Sequence, residues 1–478
     1  MFFNNLKGGL KSPSTSVSVS RLVMISLIMV SLAMILSFSV GNVSAAPINT
    51  THDNLNQASA NQAKIQLNTT TNTTNTQATV KTIKPDPQIY NNGAPVARGG
   101  NPAGYEYPSI ASAIIAAQSG DTIMLDNGAT FYENSLNINK NLDFQVFNNG
   151  YATYATIDGM NSGIIFIIGS GVNVSLQNIT LTHGWSAIEN SGSLTVENCN
   201  FTNNTARGYG GAIYNNRMGN LTVTNSTFTD NTATGLDYYD YYGGGAIYNY
   251  GTVSVTSSTF TNNTAAGDGG GGAIYNMNDL NVTGSTFTNN TGYEGGAIYD
   301  YGVLNVTGSL FTNNTAEDGG AIYNYYGVLN LTDSTFTNNT ATIYGGGAIF
   351  NGEYGTVSVT SSSFTNNTAT TRSGFGSSGF GSAIYNDGTV SVTSSSFTNN
   401  TATDRGGAIY NTGGTDEIGE GFIFYGILNV TNCIFTNNTA TGYGGAICND
   451  EYGNLTVTSS TFTNNTAPDG GAIYNDDT

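Results

Sequence analysis

From Val172 onward the apolar residues fall in short alternating runs, not in helical stripes. Leu221 and Val223 alternate with Thr222 and Thr224, and Leu304 and Val306 with Asn305 and Thr307, so one face of each run points inward and the other outward. Two further runs accompany each such pair. One is Ser-x-Phe, as at Ser226–Phe228, and the other is Ala-Ile-Tyr-Asn, as at Ala212–Asn215. Between them stand Asn-Asn-Thr and Gly-Gly, residues that accept turn geometries at low cost. The pattern predicts three short strands per unit.

The unit repeats to the end of the chain. Its phenylalanine recurs at Phe201, Phe228, Phe260, Phe287, Phe311, Phe336, Phe364, Phe397, Phe435 and Phe462, at spacings of roughly 24 to 38 residues, the period of a stacked repeat fold. Three strands per turn at this period predict an all-β solenoid, a parallel β-helix with each coil hydrogen-bonded to the next. The Phe, Ile and Leu/Val columns then fill its interior. Recurring asparagines at Asn204, Asn231, Asn263 and Asn290 are expected to form a ladder that satisfies turn amides.

Ahead of the array the pattern changes. Ile110, Ala113, Ile114 and Ala117 stand at helical spacing behind Ser109, a candidate N-cap. A short helix here would cap the open end of a solenoid. Irregular strands are expected around 122–125, 137–139, 143–146, 155–157 and 164–168. Residues 1–46 combine a basic start (Lys7, Lys11, Arg21), an apolar run from Leu22 to Val40 and a small-residue site at Val43–Ala46, which reads as an export signal. The run is also long enough for an uncleaved anchor that would tie the chain to its own cell envelope. The expected organisation is a signal or anchor at 1–46, a disordered Asn/Thr-rich linker at 47–104, a cap with irregular first coils at 105–171, and the repeat array at 172–478.

Composition narrows the partners. Charged residues make up only 9% of the 478, glycine occurs 62 times, and the net charge is −19. Such a surface repels phosphate backbones, so no nucleic-acid partner is expected. Cys199, Cys433 and Cys448 are too few for a disulfide framework. Cys199 and Cys433 take the place of the repeat serine and read as small buried residues. No metal site and no cofactor is expected.

The pairing of Gly295-Gly296-Ala297-Ile298 with Phe311-Thr312-Asn313-Asn314 resembles the repeat of the chlamydial polymorphic outer membrane proteins. The Asn- and Thr-rich wording, with the leader from Tyr107 through Ile123, looks still more like the adhesin-like surface proteins of methanogenic archaea. The resemblance implies a right-handed parallel β-helix on a cell surface with a role in adhesion, and names no ligand. This sequence shows no recognisable translocator barrel, wall-binding module or sorting signal after the last repeat phrase.

Parallel β-helices also carry polysaccharide lyases and hydrolases, so an enzyme is the rival reading, and a glycosylated structural coat is a third. Asp237, Asp240, Asp416, Glu417 and Glu420 lie in insertions, and Arg207, Arg217, Arg372 and Arg405 are scattered. They form no defined constellation of the kind glycoside hydrolysis requires, and no catalytic residue is assigned. His183 beside Trp185 has no second ligand nearby in sequence and reads as structural. The binding candidates are aromatic. Tyr248, Tyr275, Tyr299 and Tyr323 share one column that alternation points outward, and Tyr238, Tyr239, Tyr241 and Tyr242 cluster in an insertion. Sequons at Asn203, Asn220, Asn262, Asn281, Asn289, Asn305 and Asn313 are candidate glycosylation sites. The expected protein is a non-catalytic, exported adhesin whose lateral face binds glycans or surface proteins of other cells.

Overall fold

The computed structural model describes residues 80–91, 94–99, 107–147, 154–235, 243–267, 269–371, 379–415 and 423–476. All lie within one of the two units into which the chain divides, Asn75–Thr478. Residues 1–46, where a signal or anchor is expected, and the tyrosines at 238, 239, 241 and 242 lie outside the described residues. Among the described residues no helix is long and apolar enough to cross a membrane.

The fold is the expected right-handed parallel β-helix. Three long sheets run its length. The first has 15 strands and carries the Leu-x-Val runs, such as Asn220–Thr224. The second and third have 13 strands each and carry the Phe runs, such as Thr227–Thr229, and the Ile-Tyr-Asn runs, such as Ile213–Asn215. Successive coils pair parallel with identical residues in register: Phe228 on Phe260, Val223 on Val255, Ile247 on Ile274. Parallel crossovers within one sheet take the right hand because the strands twist that way. One element departs from the sequence reading. In most coils the Thr-Ala after the ladder asparagine, next to the expected Asn-Asn-Thr turn, forms a two-residue strand of its own, as in Thr232–Ala233 pairing with Thr264–Ala265.

The interior is built of columns. Phe201 through Phe462 stack face on face, centroids 4.7–4.9 Å apart and planes within 9° of parallel. Strand spacing sets this distance, so the rings stack without adjusting the backbone. Phe287 is fully buried, and truncating it to Ala would cost roughly 3–5 kcal/mol.

At the corners, polar ladders stand beside the apolar columns. Asn231 Nδ2 donates to Asn263 Oδ1 on the next coil (3.0 Å) and to the Phe201 carbonyl on the previous one (2.9 Å), and the Asn231 N–H also donates to Asn263 Oδ1. The same arrangement runs from Asn204 to Asn465. A serine ladder turns the corner between the first and second sheets: the Ser226 N–H donates to Ser258 Oγ, and Ser226 Oγ donates to the Thr224 carbonyl. Cys199 and Cys433 occupy serine positions in it, buried as expected. Just before both ladders the chain passes through left-handed backbone, with φ of 55° at Asn203 and Asn262, 49° at Ser257 and 55° at Gly284. Asn and Gly tolerate this region best, which explains the repeated asparagines. The Gly-Gly pair has a different cause. A Cβ on Gly245 would collide with the Gly272 carbonyl of the next coil.

The N-terminal end is closed by α1 (Ile110–Ala116), whose Ile110, Ala113 and Ile114 are buried. Ser109 and Ser112 form a reciprocal capping box. The first coil serves both helix ends. Glu133 accepts from the Ile110 and Ala111 N–H groups, and Lys140 Nζ donates to the Ala117 carbonyl. The expectation of a disordered linker over 47–104 needs correction. Two strands lie within it, β1 (Val80–Asn91) and β2 (Ala94–Gly99); β1 pairs antiparallel with β2 and parallel with β3 (Asp121–Asp126). Composition measures side chains, whereas this pairing uses the backbone groups that an open strand edge offers to any neighbour.

A third ladder follows the Ile-Tyr strands, from Asn190 through Asn215, Asn249 and Asn276. Asp300 interrupts it. Asn276 Nδ2 donates to Asp300 Oδ1 (2.7 Å), but on the far side Asp300 Oδ2 and Asn324 Oδ1 are both buried without a partner, an acceptor in each coil where every other rung pairs donor with acceptor. Burial pushes the Asp300 carboxyl up to about 7 from 3.8. A folded-state value above the unfolded one means that folding takes up a proton, so this group's contribution is most favourable below about pH 4 and is lost as pH rises through about 7. Asp300→Asn restores a donor at every pH. Urea unfolding should find the variant equal to the parent near pH 4 and more stable by a few kcal/mol above pH 7, since each tenfold change in proton affinity is worth about 1.4 kcal/mol. A difference that does not vary with pH would refute this account.

Candidate functional site

Alternation points the repeat tyrosines away from the main core, as expected, and they stack in one stripe. Tyr248 and Tyr275 lie 4.8 Å apart, and Tyr275 and Tyr299 4.7 Å apart. The stripe is nevertheless not a surface. Tyr248, Tyr275, Tyr299 and Tyr323 are 1–7% exposed and form a second hydrophobic core, against which Tyr250, Met277, Tyr301 and Tyr325 pack. Those residues follow the ladder asparagine by one position and cover the rings. Desolvation drives the Tyr248 and Tyr323 hydroxyls well above their ordinary pKa. The expectation that this column offers ring faces to a ligand is therefore corrected. Strand parity sets which side of the sheet a ring leaves from, and the next loop decides whether that side is wet.

Aromatic exposure lies one layer further out. Tyr326 is 39% and Tyr354 52% exposed, and their rings stack at 5.1 Å across two coils. Sequence reasoning passed over both because neither belongs to the repeat column. Their signal is a position, two or three residues past a ladder asparagine in the corner before the first sheet.

The lateral face of the first sheet is polar and regular. Thr222, Ser254, Asn281, Asn305, Asn330 and Ser358 share one outward column in register. Within it the amide side chains bond from coil to coil, Asn305 Nδ2 to Asn281 Oδ1 and Asn330 Nδ2 to Asn305 Oδ1, both 2.9 Å. At the adjoining corner a shallow groove of about 210 Å³ runs across the coils, lined by Asp333, Thr335, Ser361, Ser363, Ser394 and Ser396 among others. Of the sequon asparagines, Asn203, Asn262, Asn289 and Asn313 are exposed at left-handed turn positions, Asn220 and Asn281 are exposed on the first sheet, and Asn305 is half-buried. In each Asn-Asn-Thr the first asparagine faces solvent and the second forms the ladder.

Among the described residues, no group of three or more His, Cys, Asp or Glu is placed to hold a metal ion. Insertion residues Asp237, Asp240, Asp416, Glu417, Glu420 and Arg372 lie outside the described residues. Arg405 contacts Asp450, which also accepts from the Tyr410 hydroxyl at 2.7 Å, and the guanidinium lies over the Tyr443 ring. Cys448 follows Tyr410 in the tyrosine column, in register with it. His183 is not the solitary group that its sequence neighbourhood suggests. Its Nδ1 lies 3.0 Å from Asp158 Oδ2, one coil earlier, and Arg207 from the following coil lies over Trp185. Counting one coil back from Thr182, through the register Thr182 on Asp158, is the step that finds this partner.

The buried stripe makes a prediction about stability. Tyr275→Ser should behave as a core truncation, lowering unfolding free energy by roughly 3–5 kcal/mol, whereas Tyr354→Ser should change it by less than about 0.5 kcal/mol. Chemical denaturation of the two variants provides the check, and equal effects would contradict the second core.

The comparisons with known proteins bear on the repeat. No curated protein matches the sequence. Among solved structures, a mannuronic acid specific polysaccharide family 6 lyase from human gut microbiota aligns at 13% identity with a TM-score of 0.37, covering 67% of this chain and 82% of the lyase. The catalytic domain of a GH87 alpha-1,3-glucanase in complex with tetrasaccharides aligns at 11% identity and a TM-score of 0.36, over 74% of this chain and 64% of that one. Tailspike protein 3 of bacteriophage CBA120 aligns at 11% identity and 0.32, over 82% of this chain and 65% of the tailspike. Segments 198–216, 225–250, 257–277, 284–300, 308–325, 333–352, 394–412, 432–450 and 459–476 match the Chlamydia polymorphic membrane protein repeat.

Proposed function

We propose that this protein is an exported, non-catalytic cell-surface protein of the adhesin type, which holds glycans or the surfaces of other cells through the lateral faces of its solenoid. The observation that carries the reading is the outward column Thr222–Ser254–Asn281–Asn305–Asn330–Ser358, repeated at strand spacing. Such a face offers hydroxyl and amide groups at equal intervals and no unique point, so it suits weak, repeated hydrogen bonding more than a single turnover site. The match to a repeat named for a membrane protein, and the resemblance of the repeat wording to adhesin-like surface proteins of methanogenic archaea, support a surface location. Aromatic contact belongs to Tyr326 and Tyr354 in place of the buried column.

Affinity on such a face comes from number. Clustered copies should hold a cell surface about a hundredfold or more tightly than the monomer. Thr222→Lys with Ser358→Lys, and Tyr326→Ser with Tyr354→Ser, should each lower attachment of clustered protein about tenfold while leaving the fold intact. Unchanged attachment in both folded variants removes the lateral-face mechanism, and release of sugar fragments from any polysaccharide removes the non-catalytic reading.

The exposed sequons at Asn203, Asn262, Asn289 and Asn313 stand on turns open to a glycosylating enzyme, and glycans are proposed on some of them. Intact-mass measurement of protein from its native source should exceed the polypeptide mass. The bare polypeptide mass would rule them out.

A further inference from the structure

The asparagine ladder stops at the coil that contains His183 and Gly184. Gly184 takes the ladder position: its N–H donates to Asn204 Oδ1 at 2.9 Å, but it has no side chain to continue the series. His183 takes the exposed left-handed position, φ 53°, that Asn203 and Asp230 hold on the following coils at 55° and 54°. An imidazole thus projects from a corner where the repeat elsewhere places a short side chain.

Groups from four successive coils stand in sequence along this corner. Asp158 holds His183 Nδ1 at 3.0 Å, which leaves Nε2 as the free ring nitrogen; the histidine side chain is 41% exposed and the aspartate 18%. Tyr132, the in-register neighbour of Asp158 on the second sheet, is 44% exposed. Trp185 is equally exposed and is fixed in place: its indole N–H donates to the Asn161 carbonyl at 2.8 Å and its backbone N–H to the Gly163 carbonyl. The Arg207 guanidinium lies 5.2 Å from the Trp185 ring centroid. The turn that carries Asn161 is itself unusual, with Met160 at φ 58°, a region that a long side chain seldom occupies. Strain of this kind collects at binding sites.

We propose that Tyr132, Asp158, His183, Trp185 and Arg207 form a discrete binding site for an acidic sugar, a hexuronate unit of a polysaccharide. The apolar C–H face of the pyranose rests on an aromatic ring, the carboxylate meets the guanidinium, and a ring hydroxyl donates to His183 Nε2. The acidic sugar is preferred over a neutral one because of Arg207. A chain of net charge −19 with only 12 lysines and arginines places one here, held over an indole with its fork of donors suited to a carboxylate. The Asp158 carboxylate is engaged by His183 and by the Met160 N–H. This site is independent of the repeated lateral face and stands or falls separately from it.

Trp185 is the only tryptophan in the chain, so its emission reports on this site alone. The whole protein is titrated with tetragalacturonate and with maltotetraose as the neutral counterpart of equal length. Saturable change in emission with the acidic tetramer, at least about tenfold tighter than with the neutral one, is the expected result. Arg207→Gln should weaken the acidic ligand about tenfold and bring the two ligands together. His183→Asn, which keeps a side chain suited to left-handed backbone, should weaken both. No emission change with either sugar, equal affinity for both in the parent, or unaltered selectivity in Arg207→Gln would each overturn the site. Attachment of clustered protein to cells, measured alongside on the Arg207→Gln variant, separates this outcome from failure of the lateral-face reading.

Discussion

At each corner of a coil the backbone turns, and its N–H and C=O groups point partly inward, away from water and out of register with the sheets. Buried groups of this kind must find partners or the fold loses the full desolvation cost of each. Asn231 shows the solution: one amide side chain accepts two bonds from the previous coil and donates two of its own, one to each neighbouring coil. In the serine ladder one hydroxyl accepts from an N–H of the previous coil and donates to a carbonyl of its own coil. These ladders let coils stack without water between them, and the phenylalanine, isoleucine and valine columns can then close over a dry interior. Each rung works only if its neighbour carries the same side chain, so the repeat keeps its wording from coil to coil.

The ladders also explain the places where the pattern breaks. Asp300 substitutes an acceptor for a donor and leaves two oxygens without partners. Gly184 ends the ladder, and the backbone next to it is free to present His183 in place of an asparagine. At Cys448 the tyrosine stripe loses a ring. A solenoid whose stability adds up coil by coil can tolerate such local departures, because each one disturbs only its immediate neighbours. Chemistry that differs from the repeat therefore has a natural home in the atypical coils, whereas the regular coils supply extent and rigidity.

Regularity has a consequence for recognition. The lateral face of the first sheet repeats a hydroxyl or amide at each coil, and the coil-to-coil bonds among Asn281, Asn305 and Asn330 hold these groups in line. A partner that is itself periodic can meet many of them at once. The corner around His183 and Trp185 is the opposite kind of surface, one set of unlike groups used once. The two together give the molecule an extended face and a point of chemical distinction near its N-terminal end.

Periodicity in the sequence determined the parallel solenoid, the inward Phe, Ile and Leu/Val columns, the asparagine ladder and the capping helix, because each depends only on strand parity and on what must stack on its own copy. The same parity set the direction of Tyr248, Tyr275 and Tyr299 but not their burial. The covering residues Tyr250, Met277, Tyr301 and Tyr325 come from a corner whose path no local pattern encodes. The strands at 80–99 escaped notice for a related reason, since an edge recruits backbone whatever the side-chain composition. Asp158 and His183 are 25 residues apart in sequence and 3.0 Å apart in space. Only the register of one coil on the next brings them together, and that register is a property of the stacked structure.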